Sequence, residues 1–444
     1  MKRAAWTWSC GAALLLTACP GPNPNPNPNP DPGGDPAPST ITVTGKVLDQ
    51  EGQPLENASI LIPGDDRHAV DLDRAGAFSI SGVTAPYDVI VVQRRFRTAA
   101  VYKGLSRQDL TLPFATREEE DDRSAGLEGT VTGGSTPYDT TRFTRVEFAS
   151  ASSSTATNPN PGGTYYASMS WRGPASITGT LYVLQTERSR FFSPPSRYLG
   201  FGRRDNVTLN DTATHSALDI TMTSVTEARL AGTITVPDGY ALTTIDASLV
   251  PEGSANTYLF SDTEPGRAFD YLVPQIPQST FTMYVNALQE KPGEPLGTAY
   301  SMLYKKGLTA GTSNAALVLQ EAPEQGQPAN EATEVTRATE FSWTAFTGGI
   351  HMVQFREEDA AEGTFSYTVN IYTSGTRTTL PDLSAVDMSL PASTRFSWNV
   401  QGFAPVASME ALSIIAEQGN PFLGSTDYSL GISGSRSFTT AATP

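Results

Sequence analysis

The chain has 444 residues and sets 46 acidic side chains against 30 basic ones, a formal net charge of −16. A surface of that sign repels nucleic acid and anionic lipid headgroups, so neither is expected as an electrostatic partner. With 38 glycines, 33 prolines and two cysteines, the composition argues against helical bundles and disulfide scaffolds and leaves all-β modules held by their own cores.

In chain order, Met1-Lys2-Arg3 and the apolar run Ala4 to Leu16 have the build of a secretory signal, too short to span a bilayer and stay. The run ends in Leu16-Thr17-Ala18-Cys19, which resembles the lipobox of bacterial lipoproteins. The resemblance implies cleavage after Ala18 and acylation of Cys19 on its sulfur and its amino group. Three acyl chains, at roughly 0.8 kcal/mol per buried methylene, would anchor far more firmly than one. Cleavage would leave Cys19 as the sole cysteine and bring the net charge to −18, from 46 acidic and 28 basic side chains once Lys2 and Arg3 are lost. Pro20 is not the aspartate that the family associates with inner-membrane retention, so an outer-membrane destination is favoured. Residues 20–39 alternate proline with asparagine, aspartate and glycine. Such a segment runs as solvated polyproline II and reaches on the order of 60 Å at ~3.1 Å per residue.

Three later stretches are alike: Val43 to Leu48, Leu127 to Thr132 and Leu230 to Thr235 each set apolar residues at spacing two around a glycine. One face is therefore buried, and the glycine calls for a side chain or backbone packed closely over it. Each unit closes on a similar strand: Asp109 to Leu112, Leu218 to Met222 and Ala316 to Leu319. Between opener and closer lie an aromatic-led strand, a proline turn and a second strand. These are Phe78-Ser79-Ile80, Ala85-Pro86 and Val89 to Val92 in the first unit, and Phe269 to Leu272, Ile276-Pro277 and Phe281 to Val285 in the third. Three tandem modules of roughly 80 to 100 residues are expected.

Gly45-Lys46-Val47-Leu48-Asp49, the hairpin Gln50 to Leu55, Ala58 to Ile62 and Gly76 to Ile80 resemble the carboxypeptidase regulatory-like, or transthyretin-like, β-sandwich of bacterial envelope proteins. The second and third units look like diverged copies. Further on, Phe341-Ser342-Trp343, Tyr367 to Ile371 and Leu390 to Trp398 resemble a fibronectin type III domain, with Phe396 in place of the usual corner tyrosine. Ala407 to Gln418, ended by Gly419, reads as a short helix with Met409, Leu412 and Ile415 inward.

The expected fold is thus all-β, with tandem β-sandwich modules (transthyretin-like and fibronectin III-like) on a disordered proline-rich N-terminal tether. The divisions are a signal peptide 1–18, the lipidated Cys19 and tether 19–39, sandwiches 40–117, 126–225 and 226–323 with an acidic linker 118–125, and a fibronectin-like domain 324–444.

Candidate chemistry is sparse. Asp71 to Gly76 begins like a calcium loop, with Asp65 and Asp66 nearby, but lacks the completing glutamate and reads as a hairpin tip. His68, His215 and His351 are isolated, and no zinc spacing occurs. Gly431 to Ser435 is not a nucleophile elbow, and Gly200-Phe201-Gly202 is not a phosphate cradle. Glu118 to Asp122 reads as a solvated linker. No catalytic residue, metal or cofactor is assigned. One basic, aromatic stretch stands out on this acidic chain: Arg188, Arg190, Phe191, Phe192, Arg197 and Tyr198 form a candidate ligand-binding loop, able to stack sugar rings or meet an acidic partner.

The functional expectation is a non-catalytic, lipid-anchored cell-envelope scaffold or protein-interaction module. The alternative is a surface glycan-binding protein, using that loop or exposed aromatics such as Trp171. An unrecognised carboxylate-based hydrolase comes third.

Overall fold

A computed structural model describes residues 40–49, 52–63, 69–115, 123–138, 142–151, 153–252, 256–290, 298–361, 363–417 and 426–444. Residues 1–39, with Cys19 and the proline-rich run expected to be a tether, and Asp65, Asp66, His68 and the run Glu118 to Asp122 lie outside the described residues. The described part is all-β, built of β-sandwich layers, with one α-helix.

The first segment holds β1 (Ile41–Leu48), β2 (Ser59–Leu61), β3 (Val70–Asp71), β4 (Ala77–Val83), β5 (Tyr87–Gln93), β6 (Thr98–Leu105) and β7 (Asp109–Pro113). β1 lies between antiparallel β4 and parallel β7. The opposing layer is β2-β5-β6, with β3 beside β2. The alternation in β1 sends Val43 and Val47 inward to meet Phe78, Ile80, Val89 and Val91. Each such residue, fully buried, contributes roughly 1.5–3 kcal/mol.

The second segment holds β8 (Arg123–Gly133), β9 (Arg142–Ser150), β10 (Ser154–Thr157), β11 (Thr164–Trp171), β12 (Ser176–Glu187), β13 (Arg197–Asn210), β14 (Thr214–His215) and β15 (Ile220–Met222). The third holds β16 (Thr226–Thr235), β17 (Tyr240–Pro251), β18 (Thr257–Asp262), β19 (Ala268–Gln275), β20 (Ser279–Gln289), β21 (Tyr300–Leu308) and β22 (Ala315–Val318). Both repeat the first segment's pattern. The opener pairs with an antiparallel neighbour (β11, β19) and with a parallel closer (β15, β22). The opener glycines serve one purpose in all three. Gly45, Gly129 and Gly232 stand directly across from Phe78, Tyr165 and Phe269. A Cβ at any of them would meet that aromatic side chain and the closer's backbone at Leu110, Leu218 or Ala315.

The C-terminal segment holds β23 (Ala332–Val335), β24 (Phe341–Ser342), β25 (Ile350–Glu357), β26 (Thr368–Thr373), β27 (Arg377–Thr378), β28 (Arg395–Ala404), helix α1 (Met409–Glu417), β29 (Tyr428–Ile432) and β30 (Arg436–Thr440). Phe341, Trp343, Phe396 and Trp398 are buried, as a sandwich core requires. Phe396 has no hydroxyl to donate. Tyr367 packs edge-on against its ring at 5.8 Å and donates its own hydroxyl to the Met388 carbonyl at 3.0 Å.

Tandem modules said nothing of how the units are joined, and the structure joins them by strand pairing. β26 runs parallel to β6 of the first segment, from Thr368 opposite Thr98 to Tyr372 opposite Tyr102. On the other side β29 pairs with β21 of the third segment. One hydrogen-bonded sheet therefore runs β18-β17-β20-β21-β29-β28-β25-β26-β6-β5-β2-β3. β5 is buried on both faces. Val89 and Val91 face the first segment's core, whereas Ile90 and Val92 face that of the C-terminal segment.

Helix α1 starts two residues later than the sequence suggests, with the Ser408 hydroxyl accepting from the Ala411 amide at 3.2 Å as an N-cap. Met409 and Leu412 are buried in the first segment's core, and Ile415 packs against it. The Ser413 hydroxyl accepts from the Thr111 amide of β7 at 2.8 Å, and Glu410 Oε1 from the Ser106 amide at 3.1 Å. The helix so covers a strand edge that would otherwise be open to pairing.

Candidate functional site

The stretch 188–198 is divided by the fold. The Arg188 guanidinium lies 4.9 Å over the Phe143 ring. It donates from Nε to Thr186 Oγ1 at 2.9 Å and from Nη2 to the Leu259 carbonyl of β18 at 3.1 Å. Phe191 meets Phe143 edge-on at 4.7 Å, and Phe192 meets Tyr258 at 5.3 Å. The Phe192 carbonyl accepts from the Ser261 amide at 2.7 Å. Arg145 sits over Phe192 and Tyr258 and donates to buried Glu147 at 3.0 Å; Thr257 donates to the same carboxylate at 3.1 Å. Burial pushes the Glu147 carboxyl up, with Arg145 opposing. These contacts bind the second segment to the third.

Of the six residues read as a binding loop, the structure brings Arg188, Phe191 and Phe192 together. Tyr198, 4% exposed, instead joins Leu184 in the third segment's core. Arg190 is exposed, and Arg197 reaches only 3.8 Å from Glu187. Phe143 and Arg145 of β9 and Tyr258 of β18 complete the cluster, and nothing in their local pattern marks them, because the two strands are far apart in sequence and meet only in the fold. Trp171 corrects an expectation. It is 3% exposed with Nε1 donating to the Pro174 carbonyl at 2.8 Å, so it is core and not a platform.

One recess is a groove of about 1420 Å³ between β12–β13 and the outer face of the continuous sheet. The register places Asp246, Tyr284, Tyr304 and Tyr428 in one row across β17, β20, β21 and β29. Tyr284 and Tyr304 are 4.7 Å apart, Tyr304 and Tyr428 are stacked at 4.2 Å, and the Lys306 ammonium lies 5.4 Å over Tyr428. Tyr304 and Tyr428 thus cover one another's faces, and Tyr284 leans against Tyr304 at 50°. Burial, then the neighbouring phenols, raise the Tyr284 and Tyr428 hydroxyls above their usual range, and burial lowers Lys306. Thr178, Thr180, Arg203 and Asp205 form the facing wall.

A second recess, of about 690 Å³, lies on the outer face of β8 and β11. Its lining includes Glu128, Thr130, Asn158, Asn160, Tyr166 and Asp219.

The remaining candidates are engaged in structure. Asp73 Oδ1 accepts from the Ala75 and Ala77 amides, both at 2.8 Å, as a hairpin tip does, and Asp71 accepts from Ser59. His215 Nε2 accepts from the Asn210 amide, and His351 Nε2 from the Phe346 amide, both at 2.9 Å. Ser433 Oγ accepts from Val400 and donates to the Gly434 carbonyl. Among the described residues no three His, Cys, Asp or Glu side chains converge as a metal site. No helix among them is long and apolar enough to cross a membrane.

No protein-family model and no curated protein matches the chain. Among solved structures it is similar to a DUF3823 family protein of Parabacteroides merdae, at 10% identity, covering 38% of this chain and 92% of that one, with a TM-score of 0.15. It is also similar to the pilus adhesin SpaC of Lactobacillus rhamnosus GG, at 11% identity, 63% and 43% coverage and a TM-score of 0.14. Two B repeat units of the collagen-binding protein of Staphylococcus aureus match at 12% identity, 82% and 93% coverage and a TM-score of 0.13. Scores this low carry no functional argument.

Proposed function

We propose that this chain is a non-catalytic, lipid-anchored protein of the bacterial cell envelope, the outer membrane being favoured, that holds a rigid protein-binding platform away from the lipid. On this reading it is acylated at Cys19, and residues 20–39 form the stalk. Three transthyretin-like sandwiches and a fibronectin III-like unit then make up the platform. One observation carries the binding role: a single hydrogen-bonded sheet crosses three segments and floors the groove at Tyr284, Tyr304 and Tyr428. A rigid surface spends little conformational entropy on association, and tyrosine and arginine are the residue types that dominate binding energy at protein interfaces. The residues of 188–198 contribute mainly by fixing one wall of that groove.

Lysine-directed cross-linking in intact cells of the producing organism, followed by mass spectrometry, tests the proposal. The expected result is one stoichiometric protein partner linked through Lys306, with Cys19→Ala releasing the chain from the membrane fraction. Recovery of no protein partner would contradict the scaffold role. A second reading, glycan binding, is favoured by a different observation: the exposed ring of Tyr166.

A further inference from the structure

We infer that the recess around Tyr166 is a saccharide-binding subsite. The inference rests on reading the chain as a binding protein, but not on its anchor or on the tyrosine-floored groove. What separates Tyr166 from the stacked Tyr304 and Tyr428 is a ring that no other ring covers. The residue is 59% exposed, and among the described residues no second ring or cation stacks on it. Its ring is seated on the sheet at Gly126, where a Cβ would stand 3.3 Å from Cε2. A side chain at 126 would crowd Thr214 Oγ1 at 3.0 Å and this ring atom together; glycine lets the ring lie close over the strand while most of it meets solvent.

The polar groups around the ring are held in place before any ligand arrives. Glu128 stands directly across from Tyr166, and Thr130 across from Thr164. Glu128 Oε1 accepts from the Ser216 hydroxyl at 2.6 Å, and Asp219 Oδ1 from the Thr130 amide at 2.8 Å. Asn160 Oδ1 accepts from the Gly162 and Thr164 amides at 3.0 and 3.2 Å. Each carboxylate still has lone pairs to offer, since it can accept about four hydrogen bonds. The volume of about 690 Å³ falls within the usual range for small-ligand sites.

This combination fits the chemistry of a pyranose. A sugar has an apolar C–H face that lies on an aromatic ring and a rim of hydroxyls that donate to carboxylates and amides. No lysine or arginine is among the lining residues, the nearby Arg204 guanidinium is engaged with the Ala217 and Asp219 carbonyls, and Glu128 and Asp219 repel an anion. The saccharide is therefore a neutral one, not a uronic or sialic acid.

The test uses the full-length chain, purified in a detergent without a sugar headgroup, on a printed array of neutral and acidic oligosaccharides. Retention of neutral oligosaccharides is expected, with Tyr166→Phe close to wild type and Tyr166→Ala weakened by about tenfold or more. Phe365→Ala, which removes another exposed ring outside both recesses, should bind as wild type does. An unchanged melting midpoint for Tyr166→Ala, a surface substitution, shows that any loss is local. Binding that survives Tyr166→Ala but fails in Tyr304→Ala would overturn this site while leaving a binding protein. An array on which nothing neutral is retained would overturn it as well, and the cross-linking result would then decide the wider reading separately.

Discussion

The phenol rings of Tyr102 and Tyr372 lie parallel, 4.9 Å between centroids and 2° between planes. They sit at the last matched pair of the β6–β26 ladder, both fully buried, and Tyr102 donates its hydroxyl to the Pro113 carbonyl. Two segments distant in sequence thus share one packed seam. Tyr372→Ala should cost about 3–5 kcal/mol, the range for large-to-small change at buried aromatics. Differential scanning calorimetry should show the transition that contains the first and C-terminal segments moving down as a unit.

The glycine–aromatic pairs give a sharper test of the repeat. At Gly45 and Gly232 an added methyl would collide with a backbone carbonyl, which cannot swing aside as a long side chain can. Gly45→Ala and Gly232→Ala should each destabilise by about 1–3 kcal/mol, through overpacking. Gly162→Ala, where the nearest atom would be Asn160 Oδ1 at 3.4 Å, should fall within about 0.5 kcal/mol of wild type. Urea midpoints at constant m-value would measure the difference.

Tyr367, packed edge-on against Phe396, supplies the hydroxyl that Phe396 lacks. Its hydroxyl already satisfies the Met388 carbonyl, so Tyr367→Phe should cost about 1 kcal/mol. Placing a tyrosine at 396 in that variant should not recover it. Phe396 is fully buried between Tyr367 and Phe438, and an added hydroxyl there costs about 1–3 kcal/mol of desolvation. The double variant, compared with the two single ones in a denaturant cycle, separates these effects.

His351 sets a pH dependence. It is 1% exposed, its Nε2 accepts from the Phe346 amide, and burial holds its pKa below the ordinary value. A base whose folded pKa is depressed binds fewer protons folded than unfolded. Its contribution is therefore complete above the unfolded value of about 6.5 and is lost as pH falls from there through the folded value. The melting midpoint should drop between pH 7.5 and 5.5, and His351→Gln should flatten that part of the curve. An equal slope in both proteins would contradict the assignment.

Much of the architecture was legible because it is local. Period-two alternation around Gly45, Gly129 and Gly232 marks the openers. The apolar run Val89 to Val92 marks a strand, although only the fold reveals that it is buried on both faces, the second against Val353, Phe355, Val369 and Ile371. The joins were not legible, since Thr368 finds Thr98, and Tyr428 finds Tyr304, through tertiary register alone. The same applies to function. Arg188 and Phe192 stand out by residue type, but their partners lie on two strands distant in sequence, Phe143 and Arg145 on β9 and Tyr258 on β18, and an aromatic residue's name does not say which face of the ring is free. Trp171 and Tyr166 lie five residues apart on one strand, with opposite parity, and the ring that meets solvent is the tyrosine.

Hydrogen exchange on the full-length chain, read by mass spectrometry, tests the continuous platform most directly. If β6 and β26 share a ladder, amides in residues 98–102 and 368–372 exchange as slowly as those of the central strand 350–357, and Tyr372→Ala speeds both joined strands together. Fast exchange at 98–102 and 368–372 beside a protected 350–357 would mean that the segments are separate beads, and the platform would not exist.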